Sequence, residues 1–142
     1  MIAADQVLVS VSAAALDVAA HERAVTRSSA GAQVVFCGVV RDVDHDRRVI
    51  ELEYEAYPAA ETVLRKIAAR FAALPAVEGL AVSHRIGRLA IGDVALVAAV
   101  SSMHRQEAFD VCARLVDEVK RELPVWKRQT FEDGTDEWVN CP

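Results

Sequence analysis

One apolar run constrains the fold of this chain more than any other segment. Residues 94–100 read VALVAAV, without a polar side chain. A run of this length is far too short to span a membrane and is typical of a central strand that is covered on both faces. The rest of the chain must therefore supply apolar surfaces for both sides of this strand.

Period-two alternation and other apolar runs predict the remaining strands. They fall at residues 7–11, 33–41, 49–57 and 80–86, with a short last strand at Trp138 and Val139 after an Asp-Gly turn. The segments 33–41 and 49–57 are joined by a charged connection and predict a hairpin. Within this hairpin we expect Val49 to share the wet face with the glutamates, and Ile50 to share the other face with Leu52 and Tyr54. Gly38 marks a bulge or a close backbone approach.

Helical spacing of apolar residues predicts three helices, over residues 16–27, 59–74 and 105–123. The last helix carries an apolar stripe made of Phe109, Cys112, Val116, Val119 and Leu123. Pro124 disfavours helical geometry at the preceding residue and predicts an extended exit. This order of elements predicts a single α+β domain over residues 1–142, with a mixed, mostly antiparallel sheet.

The charge and cysteine content exclude several classes of function. The 142 residues carry a net charge of -5, whereas nucleic acids and anionic membranes attract clustered positive charge, so any anion site must be local. Cys37, Cys112 and Cys141 are too widely spaced for a metal site, and the four histidines are scattered, which predicts reduced thiols, no metal and a cytoplasmic protein. The apolar first residues lack a basic segment and are interrupted by Asp5 and Asp17, so no signal peptide is predicted.

The lysines form an unusual pair. Of 16 basic residues only three are lysine, and Lys120 and Lys127 flank Pro124 within one short stretch, far from Lys66. Lysine, unlike arginine, can lose a proton or act as an amine nucleophile near neutral pH, which makes the pair a candidate for catalysis. The alternative is a solvated helix end, where lysine complements the helix dipole.

Further cations occur where strands and helices meet. His104 and Arg105 lie at the start of the long helix, where free backbone N–H groups bind anions, although an exposed surface ion pair is the alternative for Arg105. Arg41 ends an apolar strand. If these segments converge with Lys120 and Lys127, one pocket would bind a small anionic molecule.

Six short blocks in order along residues 7–139 carry a family pattern. They are FCGVVR (36–41), LEYEAY (52–57), HRIGRLAIGD (84–93), SSMHRQEAF (101–109), VKRELPVWKRQ (119–129) and WV (138–139). Together they resemble the MoaE family, the large catalytic subunit of molybdopterin synthase. The resemblance implies an α/β-hammerhead-type fold and a homodimer. It further implies that two copies of a small ubiquitin-like sulfur carrier of the MoaD type join this homodimer in a heterotetramer.

The resemblance also implies the reaction. Two sulfurs pass from the thiocarboxylated C-terminal Gly-Gly of the carrier to cyclic pyranopterin monophosphate, giving the dithiolene of molybdopterin, without a cofactor. Lys120 is the expected principal catalytic group, assisted by Lys127. The matching motifs place substrate contacts on these two lysines and on Val39, Val40, Arg41, His104, Arg105, Arg128 and Gln129.

Two questions are left to the structure. The family usually has glycine in the turn after the strand-end arginine, where this chain has Asp46, a residue that tolerates left-handed geometry better than most. The alternative function is a non-catalytic dimeric module that binds a phosphorylated metabolite and scaffolds a partner. An open groove leading to Lys120 would favour the enzyme, and a closed surface would favour the module.

Overall fold

The apolar run at 94–100 lies inside a four-stranded sheet. The computed structural model describes residue 2 and residues 6–139. Over these residues the elements are β1 (Leu8–Ser12), α1 (Val18–Val25), β2 (Ala32–Val39), β3 (Val43–Asp44), β4 (Arg47–Ala56), α2 (Ala60–Ala72), β5 (Val77–Arg85), β6 (Gly87–Leu89), β7 (Val94–Ser102), α3 (Arg105–Glu122), β8 (Val125–Phe131) and β9 (Asp136–Val139).

The strands form two sheets. The first has the order β1-β5-β7-β2, in which only β1 and β5 are parallel, and the second has the order β3-β4-β8-β9 with β6 paired to β4. The predicted α+β class, with three helices over the described residues and a mixed, mostly antiparallel sheet, is confirmed.

Strand β7 is covered on both faces, as its sequence predicts. Ala98 and Val100 face the large core formed with α2 and α3. Ala99 faces the opposite side, where it packs with Ala81 and with Val25 of α1. Successive side chains of a strand point to opposite faces, so a central strand between helical layers must be apolar throughout. No helix in the described part of the chain is long and apolar enough to cross a membrane.

The two edges of this first sheet differ. At β1, the Glu61 carboxylate accepts a hydrogen bond from the Val11 N–H (3.1 Å), and the Arg65 guanidinium donates one to the Val9 carbonyl (3.2 Å). These contacts occupy backbone groups that could otherwise pair with another strand. At β2, by contrast, β7 is the one strand among the described residues that pairs with it. A bare apolar edge is a template for association with another chain.

The hairpin predicted between 33–41 and 49–57 is wrong. Strand β2 pairs with β7 in the first sheet, whereas β4 pairs with β3, β6 and β8 in the second. The short strand β3 folds back on β4 instead, through a turn in which His45 and Asp46 have φ values of 51° and 65°. By pairing with β7, strand β2 lies beside a strand that is almost entirely buried. Pairing with β4, which has a solvent-exposed face, would bury less of β2.

Two predicted side-chain faces are also wrong, while Gly38 lies at a confirmed bulge. A second irregularity between Val49 and Glu51 inverts the expected pattern, so Val49 is buried and Ile50 is 53% exposed. Phe109 is 59% exposed and does not belong to the buried stripe of α3, which retains Cys112, Val116 and Val119. Ala108 and Leu115, on the adjacent side of the helix, are buried and complete the apolar face of α3.

Candidate active site

A cavity of about 360 Å³ opens where the two sheets meet. The end of β2, parts of β4 and β8, and the last turn of α3 line it. Its charged members are Arg41, Lys120 and Lys127, together with one carboxylate, Asp44. Three cations against one carboxylate make this a locally positive site on an acidic chain, which favours an anionic ligand.

The break at Pro124 brings the two lysines together. Helix α3 ends at Glu122, and Leu123 already has extended geometry because proline excludes the helical region for the residue before it. The chain passes directly into β8. Lys120 in the last helical turn and Lys127 on the strand consequently line one cavity, with Lys120 exposed and Lys127 half-buried.

Side-chain alternation along β8 divides the predicted substrate residues. Lys127 and Gln129 line the cavity, and Gln129 is buried. Arg128 points to the other face, where its Nε and Nη2 donate to the Asp136 carboxylate at 2.9 and 2.6 Å. Residues i and i+2 of a strand share a face, and residue i+1 does not. The structure therefore does not bring Arg128 into the cavity.

The segment after β2 is held in place through its backbone. The Val40 N–H donates to the Asp93 carbonyl (2.9 Å), and the Val40 carbonyl accepts from the Gly92 N–H (2.7 Å). Val39, Val40 and Arg41 all line the cavity, with Val40 buried and Val39 exposed. The bulge at Gly38 and this loop contact give Arg41 its position at the cavity wall.

His104 and Arg105 do not reach this cavity within one chain. They lie at the start of α3, and Lys120 lies near its end, about 22 Å away at 1.5 Å per helical residue. His104 lines a separate surface pocket with Glu78 and Glu107. Within one chain the structure therefore brings Arg41, Lys120 and Lys127 to one cavity and does not bring His104 and Arg105 to it.

Four polar side chains of the cavity were not among the predicted site residues, namely Cys37, Asp44, Tyr54 and His84. Cys37, Tyr54 and His84 lie in three of the family blocks, and that was the available signal for them. Asp44 lies in a charged segment of the sequence, residues 42–48, and no sequence pattern distinguishes it from the other charged residues there. Its place in the cavity results from the β3–β4 pairing, which the sequence did not predict.

His84 is a buried, neutral imidazole. Burial lowers the pKa of His84 to about 4, and the nearby Lys120 charge acts in the same direction. Its Nδ1 donates to the Arg85 carbonyl (2.7 Å), which leaves Nε2 unprotonated. The ring meets Tyr54 edge-on, with centroids 4.8 Å apart, so this contact joins β5 of the first sheet to β4 of the second.

Asp44 is the ionised acceptor of the cavity. Its carboxylate receives hydrogen bonds from Gln129 Nε2 at 2.8 Å, from Arg41 Nη2 at 3.2 Å and from His45 Nδ1 at 3.2 Å. The Gln129 hydrogen bond is the main cause that lowers the pKa of Asp44, and the positive charge of Lys127 adds to it.

The described cysteines are poor nucleophiles. Burial raises the pKa of Cys37, with a contribution from Glu22, and burial raises the pKa of Cys112 to about 11. A protonated thiol reacts slowly, because the thiolate is the reactive form. Cys141 lies outside the described residues. No group of three His, Cys, Asp or Glu side chains in the described ranges is placed to hold a metal ion.

Fold and site together define a class of protein. The class is that of α+β proteins in which a helix end and two sheets enclose a small cationic cavity with two lysines, an arrangement suited to an anionic small molecule.

Comparison with known proteins identifies the family. The MoaE protein family model matches residues 11–122. The molybdopterin synthase catalytic subunit of Nostoc sp. is 41% identical over 115 residues, which cover 80% of this chain and 70% of that protein. A crystal structure of molybdopterin synthase from Staphylococcus aureus superimposes with a TM-score of 0.83 at 32% identity, covering 91% of this chain and 94% of that one. This chain belongs to the MoaE family, and the resemblance read from the six sequence blocks is confirmed.

A more distant structure shares the fold. It is a complex of subunits 1 and 2 of molybdopterin-converting factor from Helicobacter pylori 26695, with a TM-score of 0.70 at 21% identity, covering 95% of this chain and 89% of that one.

Proposed function

We propose that this chain is the catalytic subunit of a cytoplasmic molybdopterin synthase, with one catalytic domain over residues 1–142. Its substrate is cyclic pyranopterin monophosphate, and its sulfur donor is the thiocarboxylated C-terminus of a small ubiquitin-like carrier of the MoaD type. The observation that carries this proposal is the meeting of Arg41, Lys120 and Lys127 in one open cavity.

The cavity suits the charges of this reaction. A phosphorylated substrate favours cationic donors, which Arg41 and Lys127 supply. Sulfur transfer from a thiocarboxylate passes through tetrahedral species with developing negative charge, which a fixed ammonium group stabilises. Lys120 is the principal catalytic residue, as proton donor or electrostatic stabiliser, and Lys127 positions the substrate. Val39, Val40 and Gln129 form the adjoining wall.

Access to Lys120 favours the enzyme over the non-catalytic module. The Lys120 side chain is exposed at the cavity, so an extended Gly-Gly tail can reach it from outside. Val39 is 52% exposed and Ile91 is 40% exposed, and the Val40–Gly92 backbone contact brings their segments together beside the cavity. This apolar rim suits a protein carrier, in keeping with the two-subunit complex of the Helicobacter pylori protein.

His104 and Arg105 enter the site through a homodimer. Ala32 at the start of β2 pairs with Ser102, and a Cβ on Gly31 would lie 2.8 Å from the Met103 carbonyl oxygen, so the start of β2 adjoins the start of α3. Two-fold antiparallel pairing of the bare β2 edges would set the end of one β2 beside the start of the other. His104 and Arg105 of the partner subunit would then approach Arg41 and complete the anion site.

The start of α3 has further signs of a covered surface. Two large apolar side chains are exposed here, Met103 just before α3 (57%) and Phe109 in its second turn (59%). Ser102 Oγ and Glu107 Oε2 are buried without a hydrogen-bond partner among the described residues. Buried polar atoms normally have partners, which a second subunit could provide here.

The test is reconstitution with thiocarboxylated carrier and cyclic pyranopterin monophosphate, with dithiolene formation as the readout. Lys120→Ala is expected to reduce the rate by at least about a hundredfold, because a preorganised charge at the reacting centre is lost. Circular dichroism and carrier binding should be unchanged. The control, Lys66→Ala, alters an α2 lysine outside the cavity and should keep the wild-type rate. Near wild-type turnover in Lys120→Ala would contradict the catalytic assignment, and a wild-type protein without dithiolene formation would contradict the function.

A further inference from the structure

The carboxylate of Asp44 is unusual in a cavity that is otherwise built for an anion. We propose that Asp44 is a positioning residue, which holds Arg41 and Gln129 against one wall of the cavity so that they are preorganised for the pyranopterin substrate. This inference rests on the proposed function, and it adds to it a residue that neither the family blocks nor the lysine pair indicated.

The contacts of Asp44 support this role. Its Oδ2 accepts from Gln129 Nε2 (2.8 Å) and its Oδ1 accepts from Arg41 Nη2 (3.2 Å), so one carboxylate joins a residue after β2 to a residue on β8. The Asp44 side chain is only 11% exposed, although it belongs to a two-residue strand whose neighbours are exposed. Asp44 is thus directed into the cavity rather than into solvent.

The two partners depend on this carboxylate to different degrees. Gln129 is buried, and its second contact, with Glu137, is longer at 3.3 Å. The Arg41 side chain is 78% exposed, and the pair with Asp44 is the ion pair that fixes it among the described residues. An exposed ion pair contributes little stability. The ion pair instead favours ligand binding, because an Arg41 side chain that is already held in place loses less rotamer entropy when the ligand binds.

A competing account predicts the opposite change in substrate affinity when Asp44 is removed. If Asp44 only competed with the substrate for Arg41, or only repelled its phosphate, its removal would tighten substrate binding. If Asp44 positions Arg41 and Gln129, its removal weakens binding, and the effect disappears once both of these side chains are absent. The two accounts are therefore separable by one set of variants.

The experiment measures binding of cyclic pyranopterin monophosphate without the carrier, and then KM and kcat in the reconstituted reaction. Asp44→Ala is expected to raise Kd and KM about three- to tenfold, with kcat within about twofold, since only the ordering of one or two side chains is lost. Asp44→Asn, which keeps one acceptor oxygen but not the charge, should give a smaller rise. Asp46→Asn is the matched control, because Asp46 is exposed at the tip of the same hairpin and asparagine also tolerates its left-handed geometry.

A mutant cycle distinguishes positioning from a general structural effect. In a background that carries both Arg41→Ala and Gln129→Ala, Asp44→Ala should change Kd by less than about twofold, because residues that act through one another are not additive. Unchanged or lower Kd in the single Asp44 variants, or the same loss in both backgrounds, would overturn the inference. If Asp44→Ala fails to fold, the isosteric Asp44→Asn carries the same comparison. Since binding is measured without sulfur transfer, a protein that binds the pterin but forms no dithiolene contradicts the proposed function and leaves the Asp44 result valid.

Discussion

At the scale of single residues, position decides which charges the cavity holds. The same cavity is lined by the ionised Asp44, the neutral His84 and the protonated Cys37. Donors around Asp44 favour its charged form, whereas burial disfavours the charged forms of His84 and Cys37. His84 therefore adds no further positive charge next to Lys120.

The neutral state of His84 predicts a pH-dependent stability. The ordinary pKa of histidine is 6.5 and that of His84 in the folded protein is about 4, so between these values the unfolded chain binds a proton that the folded chain does not. Folding stability should therefore fall as the pH is lowered from 6.5 to about 4, with a total contribution of roughly 3 kcal/mol from this group.

The measurement is urea unfolding at several pH values in this window. His84→Gln should show a flatter decline than the wild type, whereas carboxylates that titrate in the same range contribute equally to both. The control is His45→Asn, since the His45 side chain is 87% exposed and asparagine tolerates its φ of 51°. Parallel curves for the wild type and His84→Gln would contradict the role of His84.

At the scale of elements, two changes of chain direction build the site. Pro124 separates α3 from β8, so that Lys120 and Lys127 line the same cavity. The β3–β4 hairpin folds the charged connection back and directs Asp44 into the cavity. The first change follows from a local effect, since proline disfavours helical geometry at the residue before it. The second requires left-handed geometry at His45 and Asp46.

The hairpin tip predicts a specific tolerance to substitution. Asp46 has a φ of 65°, a conformation that Asp adopts more easily than β-branched residues. Asp46→Val should lower the free energy of unfolding by about 1–2 kcal/mol, and Asp46→Gly should change it by less than about 0.5 kcal/mol, because relief of strain offsets the added freedom of the unfolded chain. Chemical denaturation measures both. Asp42→Val, at an exposed position of the same connection without positive φ, is the control, and an equal loss there would refute this explanation.

At the scale of the whole molecule, the unpaired edge of β2 connects fold to function. The β1 edge is occupied by side chains of α2, while β2 is half-buried and borders the cavity. A homodimer through β2 would cover this edge and would also explain why His104 and Arg105 lie so far from Lys120 within one chain.

This arrangement predicts complementation between inactive variants. In a heterodimer of Lys120→Ala with Arg105→Ala, one of the two sites would combine Lys120 of one subunit with Arg105 of the other and would be intact. Random co-assembly of the two variants should then restore about a quarter of the wild-type activity, since about half of the dimers are mixed and each contains one working site. Differently tagged, co-expressed variants allow the mixed dimers to be purified and assayed for dithiolene.

The control pairs Lys120→Ala with Lys127→Ala. Both lysines line the same cavity of one chain, so neither site of that heterodimer would be intact and no activity should return. Failure of the Lys120 and Arg105 pair to recover activity, or full activity of Arg105→Ala alone, would exclude a site shared between subunits.

The sequence by itself determined the local elements and the family. The run at 94–100, the long helix before Pro124 and the extended exit after it are set by periodicity and by proline geometry, which act over a few residues. The scarcity of lysine indicated the pair Lys120 and Lys127, and six blocks in order identified the family. Only the tertiary structure decided that β2 pairs with β7 rather than with β4, that Asp44 and His84 line the cavity, and that His104 lies outside it. These outcomes depend on competition among distant segments for one buried surface, and no local pattern records which segment wins that competition.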